Sequence, residues 1–173
     1  MAGRTEADVD DAVEMLTKAP SFKDEGWLAS SFEVMKKYPR QGDYVSLGIP
    51  TYLYGHEPSA PFATHIAKFF ENSIREDLIL TVAFGGIIYT PGSAGTMQEI
   101  FQDAVQNHYE SFGFASPMIF LGTEFWTKEM PVYPFLEKLV EMGKYKNLQL
   151  TLTDDFDVVA DELNKFKNSA PKE

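Results

Sequence analysis

The stretch from Phe84 to Val105, FGGIIYTPGSAGTMQEIFQDAV, constrains this chain more than any other. Its first part ends in Ile87, Ile88 and Tyr89, a short apolar run with the composition of a buried strand. Pro91, Gly92 and Gly95 then enclose a loop of small side chains. From Thr96 onward, Met97, Ile100, Phe101, Ala104 and Val105 recur at helical spacing. Strand, glycine loop and helix in that order predict an anion site. A helix N-terminus offers backbone N–H groups without intrahelical partners and the positive end of a dipole, and glycines let a phosphate approach that backbone.

Glu99 adds a carboxylate one turn into the expected helix. Two roles fit its position. It could face the sugar of a ligand whose phosphate lies on the loop. Equally, Thr96-Met97-Gln98-Glu99 matches a capping box, in which Thr caps the helix and Glu bonds back to the N–H of the cap. Spacing alone leaves both open.

Pro91-Gly92-Ser93-Ala94-Gly95-Thr96-Met97-Gln98-Glu99 resembles the Pro-Gly-Gly-x-Gly-Thr-x-x-Glu signature of the LOG family. Its members are also described as lysine-decarboxylase-like or as Rossmann-fold nucleotide-binding proteins. Arg75, in Asn72-Ser73-Ile74-Arg75-Glu76-Asp77-Leu78, stands where that family has an Arg-Lys-x-x-Met segment. The resemblance runs from about Val45 to Leu121, and beyond that only by pattern. It implies a phosphoribohydrolase that cleaves nucleoside 5′-monophosphates into free base and ribose 5-phosphate, in a homodimer whose interface helps build the site; no cofactor is expected. By the same resemblance Glu99 and Arg75 are the catalytic residues, and Gly92, Ser93, Ala94, Gly95 and Thr96 hold the 5′-phosphate. The alternative is a non-catalytic nucleotide-binding module or sensor. A pyridoxal-phosphate decarboxylase has no support, since no lysine has the expected context.

Three positions depart from the family pattern: Ser93 replaces the second glycine, Gln102 the second motif glutamate, and Glu76 the lysine after the arginine. Asp103 adjoins Gln102 but lies roughly 100° further round a helix.

At 173 residues, the chain is expected to form one domain: a helical lead-in over 1–40, an α/β core over 41–167 and a tail over 168–173. Lys and Arg number 15 against 26 Asp and Glu, and the net charge of -11 argues against nucleic acid or an anionic membrane as partner. There is no cysteine, hence no disulfide framework. No signal-like start or long apolar run appears, so the cytoplasm is the expected location. His56, His65 and His108 lack metal-ligand spacing.

Periodicity predicts helices over 5–18 and 26–37, the second with Leu28, Phe32 and Met35 on its apolar side, then helices over 62–74 and 131–142 and a last one opening at Asp154 and Asp155. Strands are expected at about 44–49, 83–89, 117–121 and 148–153. The loop after the first strand carries Tyr54, His56 and Glu57, candidates for base or ribose contacts, because ligands sit beyond the carboxyl ends of strands in open α/β sheets. The fold class is α/β, a Rossmann-like parallel sheet with helices on both faces, corresponding to the C-terminal part of a doubly wound domain. In a full sheet of that kind the 44–49 strand pairs with an earlier strand absent from this sequence. The expectation is therefore either a piece of a longer protein or a sheet repaired by rearrangement or by a second subunit.

Overall fold

A parallel pairing of short strands organises each part of the chain. The computed structural model describes residues 5–21, 23–42, 44–50 and 60–169. They fall into two compact units, Met1–Arg75 and Glu76–Glu173.

The first unit opens with helix α1 (Glu6–Leu16), begun by a capping box in which Asp8 N–H donates to the Thr5 hydroxyl and Thr5 N–H donates to Asp8 Oδ2. Helix α2 (Trp27–Lys37) packs against it, and Asp11 of α1 accepts from Lys37 Nζ at 2.8 Å and Tyr38 Oη at 2.7 Å. Both helices lie where periodicity puts them, but the buried side of α2 is Ser30, Ser31 and Val34, while Leu28, Phe32 and Met35 are exposed. The serines tolerate burial because both hydroxyls donate to the Trp27 carbonyl.

Strand β1 shrinks to Leu47–Gly48 and pairs in parallel with β2 (His65–Ile66). The helix expected over 62–74 is thus replaced by a strand, and helix α3 forms later, over Asn72–Val82, leaving Phe62, Ile66 and Ile74 exposed. Phe62, Ile66 and Phe69 fit a helical period, but tertiary hydrogen bonding overrides it. His65 N–H donates to the Ser46 carbonyl and Ala67 N–H to the Gly48 carbonyl, satisfying backbone groups that would otherwise lack partners. The 44–49 segment thereby finds its neighbour later in the chain.

In the second unit, β3 (Ile87–Tyr89), β4 (Pro117–Leu121) and β5 (Gln149–Thr153) form a parallel sheet in that order, with Ile88 opposite Ile119 and Ile119 opposite Thr151. Side chains alternate across the sheet. Tyr89, Met118 and Phe120 meet Ile100 and Ala104 of α4 (Ala94–Tyr109), Val132 and Leu136 of α5 (Val132–Glu141), and Trp126 of a π-helical turn (Phe125–Glu129). Helix α6 (Phe156–Ser169) packs on β4 and β5, and Ile119, buried outside that cluster, belongs to the opposite face. Gly86 marks the close approach of α6: at φ 120°, any Cβ would lie 2.8 Å from Leu163. The architecture is α/β with parallel sheets flanked by helices. No helix among the described residues is long and apolar enough to cross a membrane.

Candidate functional site

The site is built at the carboxyl end of β3, where the chain leaves Tyr89, turns through Thr90–Ser93 and enters α4. Helix α4 starts at Ala94 with Ser93 as its cap residue, so Thr96 is its third residue and the capping box at Thr96–Glu99, one of the two roles left open for Glu99, does not form. The first intrahelical bond runs from Met97 N–H to the Ser93 carbonyl, 3.1 Å. The N–H groups of Ala94, Gly95 and Thr96 precede any intrahelical acceptor, which is the arrangement an anion needs.

The two loop glycines do different things. A Cβ on Gly92 would lie 2.1 Å from Thr96 Oγ1 and 2.9 Å from Thr96 Cβ, so glycine there lets the threonine fold back over the loop. Gly95 has no positive φ, and a Cβ on it would meet nothing within 4 Å. Neither backbone conformation nor crowding requires glycine at position 95. Its missing side chain leaves space open beside the helix N-terminus.

A cavity of about 230 Å³ adjoins this loop. Ile79 and Leu80 of α3, Ala83 just after it, and Ile87, Ile88 and Tyr89 of β3 form its apolar side, and Thr90, Pro91, Thr96 and Glu99 form the rest. A larger hollow of about 430 Å³ at the amino ends of β4 and β5, bordered by Phe114, Asn147 and Phe166, contains none of the predicted site residues.

Beneath the cavity lies a buried polar chain. The Tyr89 hydroxyl donates to Asp103 Oδ2 at 2.7 Å, and Asn107 Nδ2 reaches Asp103 Oδ1 at 3.4 Å. Asn107 is itself fixed by Ser116, accepting its N–H at 2.8 Å and donating to its carbonyl at 3.2 Å. Burial pushes the Asp103 carboxyl up to about 6, against the opposing effect of the Tyr89 hydrogen bond. Burial, then the charges and hydrogen bond of its neighbours, hold the Tyr89 phenol well above its ordinary value, and Glu99 is among those charges. Trp126 Nε1 donates to the carbonyls of both Tyr89 and Leu121, tying the ends of β3 and β4 together.

Two of the three family departures are hydrogen-bonded. Gln98 of α4 donates to Glu76, and Gln102 Nε2 donates to Asp77 Oδ1 at 2.5 Å. Amide-to-carboxylate bonds thus join α4 to α3 at the positions where the family pattern has charged residues.

The loop residues Gly92, Ser93, Ala94, Gly95 and Thr96 therefore come together with Glu99 in the second unit. Arg75 falls in the first unit, 9% exposed, within the first turn of α3 and not beyond a helix end as expected. Its Nε donates to Asn72 Oδ1 at 3.0 Å and its Nη1 to the Ile49 carbonyl at 3.2 Å, so it ties the end of the β1 segment to the start of the helix. Tyr54, His56 and Glu57 lie outside the described residues. Among the described residues, no cluster of three His, Asp and Glu side chains is placed to hold a metal. Asp103 and Tyr89 were not identifiable as site residues from motif spacing. The signal that would have found Asp103 is its place, with Asn107, on the buried stripe Ile100, Asp103, Ala104, Asn107, where apolar residues are expected. Comparison with family models and with curated proteins finds no match to this chain.

Proposed function

We propose that this chain hydrolyses the N-glycosidic bond of a nucleoside 5′-monophosphate, releasing the free base and ribose 5-phosphate. The observation that carries the reading is that Thr96 and Glu99, one turn apart at the start of α4, line one cavity beside an open helix N-terminus. The resemblance of Pro91–Glu99 to the LOG signature supports the same assignment, including its implied homodimer.

The chemistry follows from the bond. As the C1′–N bond breaks, its electron pair leaves with the base and positive charge develops on the sugar. A carboxylate close to C1′ stabilises that charge and orients the attacking water, whose oxygen bonds to C1′ while one of its protons goes to the departing base and the other stays on the new C1′ hydroxyl. Glu99 takes this role. The backbone N–H groups of Ala94, Gly95 and Thr96 and the Ser93 and Thr96 hydroxyls hold the 5′-phosphate, and the apolar side of the cavity offers the base a dry surface. Binding energy from the remote phosphate then positions the bond to be cut. Arg75 has structural bonds of its own, and its part in the proposal is carried by the resemblance.

The test is release of ribose 5-phosphate from a panel of purine and pyrimidine nucleoside monophosphates, by the parent and by Glu99→Gln. The parent is expected to release it and the variant to be slower by roughly 100-fold or more, with nucleotide affinity little changed. Nucleotide binding without release would select the non-catalytic module instead.

A further inference from the structure

Asp103 is an expensive residue for the position it holds. It is 3% exposed, it sits on the helical stripe between Ile100 and Ala104, and the two groups that bond it, the Tyr89 hydroxyl and the Asn107 amide, are both neutral. A carboxylate without a cationic partner loses hydration that neutral hydrogen bonds only partly restore. For packing alone, a leucine at 103 facing a phenylalanine at 89 would serve the core as well.

What the carboxylate provides is a fixed tyrosine. The Tyr89 ring lies against Phe120, with centroids 5.0 Å apart, and its carbonyl accepts from Trp126 Nε1. The hydrogen bond to Asp103 fastens the remaining end, and Asn107 and Ser116 hold Asp103 in turn, so the chain of bonds has no loose member. Tyr89 lines the same cavity as Thr96 and Glu99.

We infer that Asp103 is a positioning residue for a sugar subsite: through the Tyr89 hydroxyl it fixes the ring as the wall beside which the ribose of a 5′-phosphorylated ligand lies, next to Glu99. This inference rests on the reading of the loop as a phosphate site. It adds that discrimination between bare phosphate and a phosphorylated sugar resides in the Tyr89–Asp103 pair and not in the loop. Asp103 does not touch the ligand, and its effect passes through Tyr89.

The experiment is calorimetric titration with two probes, inorganic phosphate and ribose 5-phosphate. The proteins are the parent, Asp103→Asn, Tyr89→Phe, and the double variant Tyr89→Phe with Asp103→Leu. The double variant removes both polar partners together and leaves no orphaned hydroxyl, so its melting temperature should stay near that of the parent. It is expected to bind phosphate like the parent and to lose about tenfold in affinity for ribose 5-phosphate, the loss appropriate to one fixed contact surface. Asp103→Asn keeps an oxygen that accepts from Tyr89 and should lie within about threefold of the parent. If the double variant does not fold, Tyr89→Phe alone should show a loss of about fivefold for ribose 5-phosphate and none for phosphate. Unchanged ribose 5-phosphate affinity in these variants, or equal losses for both probes, would overturn the inference. A parent that binds ribose 5-phosphate but releases none from nucleotides would remove the hydrolase reading and leave this one intact. A parent that binds neither probe would remove both.

Discussion

Gly95→Ala separates folding from binding at the loop, because the two are expected to change in opposite directions. Gly95 is the second residue of α4, its φ is not positive, and an added methyl group would have no atom within 4 Å. Alanine there reduces the conformational freedom of the unfolded chain and improves helix propensity, a gain of about 0.5 to 1 kcal/mol when nothing clashes. The melting temperature should rise by a few degrees. The same methyl group enters the space beside the N–H groups of Ala94, Gly95 and Thr96, which a phosphate must approach to within about 2.9 Å. Holding the anion even slightly further out weakens charge-assisted bonds worth about 1.5 to 3 kcal/mol each, so phosphate affinity should fall roughly tenfold or more. Two measurements decide it, thermal unfolding without ligand and the rise in melting temperature on adding phosphate. Loss of stability without ligand would make Gly95 a structural glycine. A more stable variant with an undiminished phosphate response would refute the anion site.

Gly92→Ala should behave in the opposite way: with a Cβ 2.1 Å from Thr96 Oγ1 and 2.9 Å from Thr96 Cβ, the backbone must shift, and denaturant melts should register a loss of about 1 to 3 kcal/mol. Arg75→Ala removes the donors to Asn72 and the Ile49 carbonyl and should cost about 1 to 3 kcal/mol in the same assay, whatever its effect on turnover. Asp103 gives a pH signature. Its folded value of about 6 lies above the ordinary 3.8, so the native state keeps a proton that the unfolded chain has lost, and stability falls as pH rises between those values and levels off above them. Asp103→Asn abolishes that term, and the stability of the variant relative to the parent should rise by about 2 kcal/mol between pH 4 and pH 7 in paired urea titrations. A difference independent of pH would mean that Asp103 is ionised in the native state throughout.

Helices α1, α2 and α5 and strands β4 and β5 were legible because each carries its own signal, either a sustained apolar period or a short apolar run. Residues 62–74 were not, since three apolar residues at helical spacing are also what a short exposed strand and its flanks can contain. Only the hydrogen-bond demand of Ser46 and Gly48, distant in sequence, decides between them. The buried face of α2 was misjudged for a related reason: serines that satisfy their hydroxyls on the Trp27 carbonyl can displace Leu28 and Phe32 from the interior. At the site, the loop was legible from its glycines. The role of Glu99 was not, because it hinged on whether α4 began at Thr96 or two residues earlier.

That shift of the helix start bears directly on the proposed chemistry. A capping glutamate would spend its carboxylate on the N–H of its own cap, facing away from any ligand. With Ser93 as the cap residue, Glu99 falls in the second turn, Thr96 stays over the loop, and both line the cavity. At two of the positions where the chain departs from the signature it resembles, the residue present is hydrogen-bonded. Glu76 in place of a lysine is bonded by Gln98, Gln102 in place of a glutamate is bonded to Asp77, and the carboxylate on the side of α4 that faces Tyr89 is Asp103, four residues after Glu99. An acid at 103 lies on the buried stripe of α4, whereas Gln102 beside it does not. In that position it can hold a proton or fix a neighbour, but it has no path of its own to a substrate in the cavity. The proposal thus assigns one half-buried carboxylate, Glu99, to the developing charge and one buried carboxylate, Asp103, to the geometry. The prediction that separates them is that Glu99→Gln lowers turnover with binding retained, whereas changes at Tyr89 and Asp103 lower sugar affinity first.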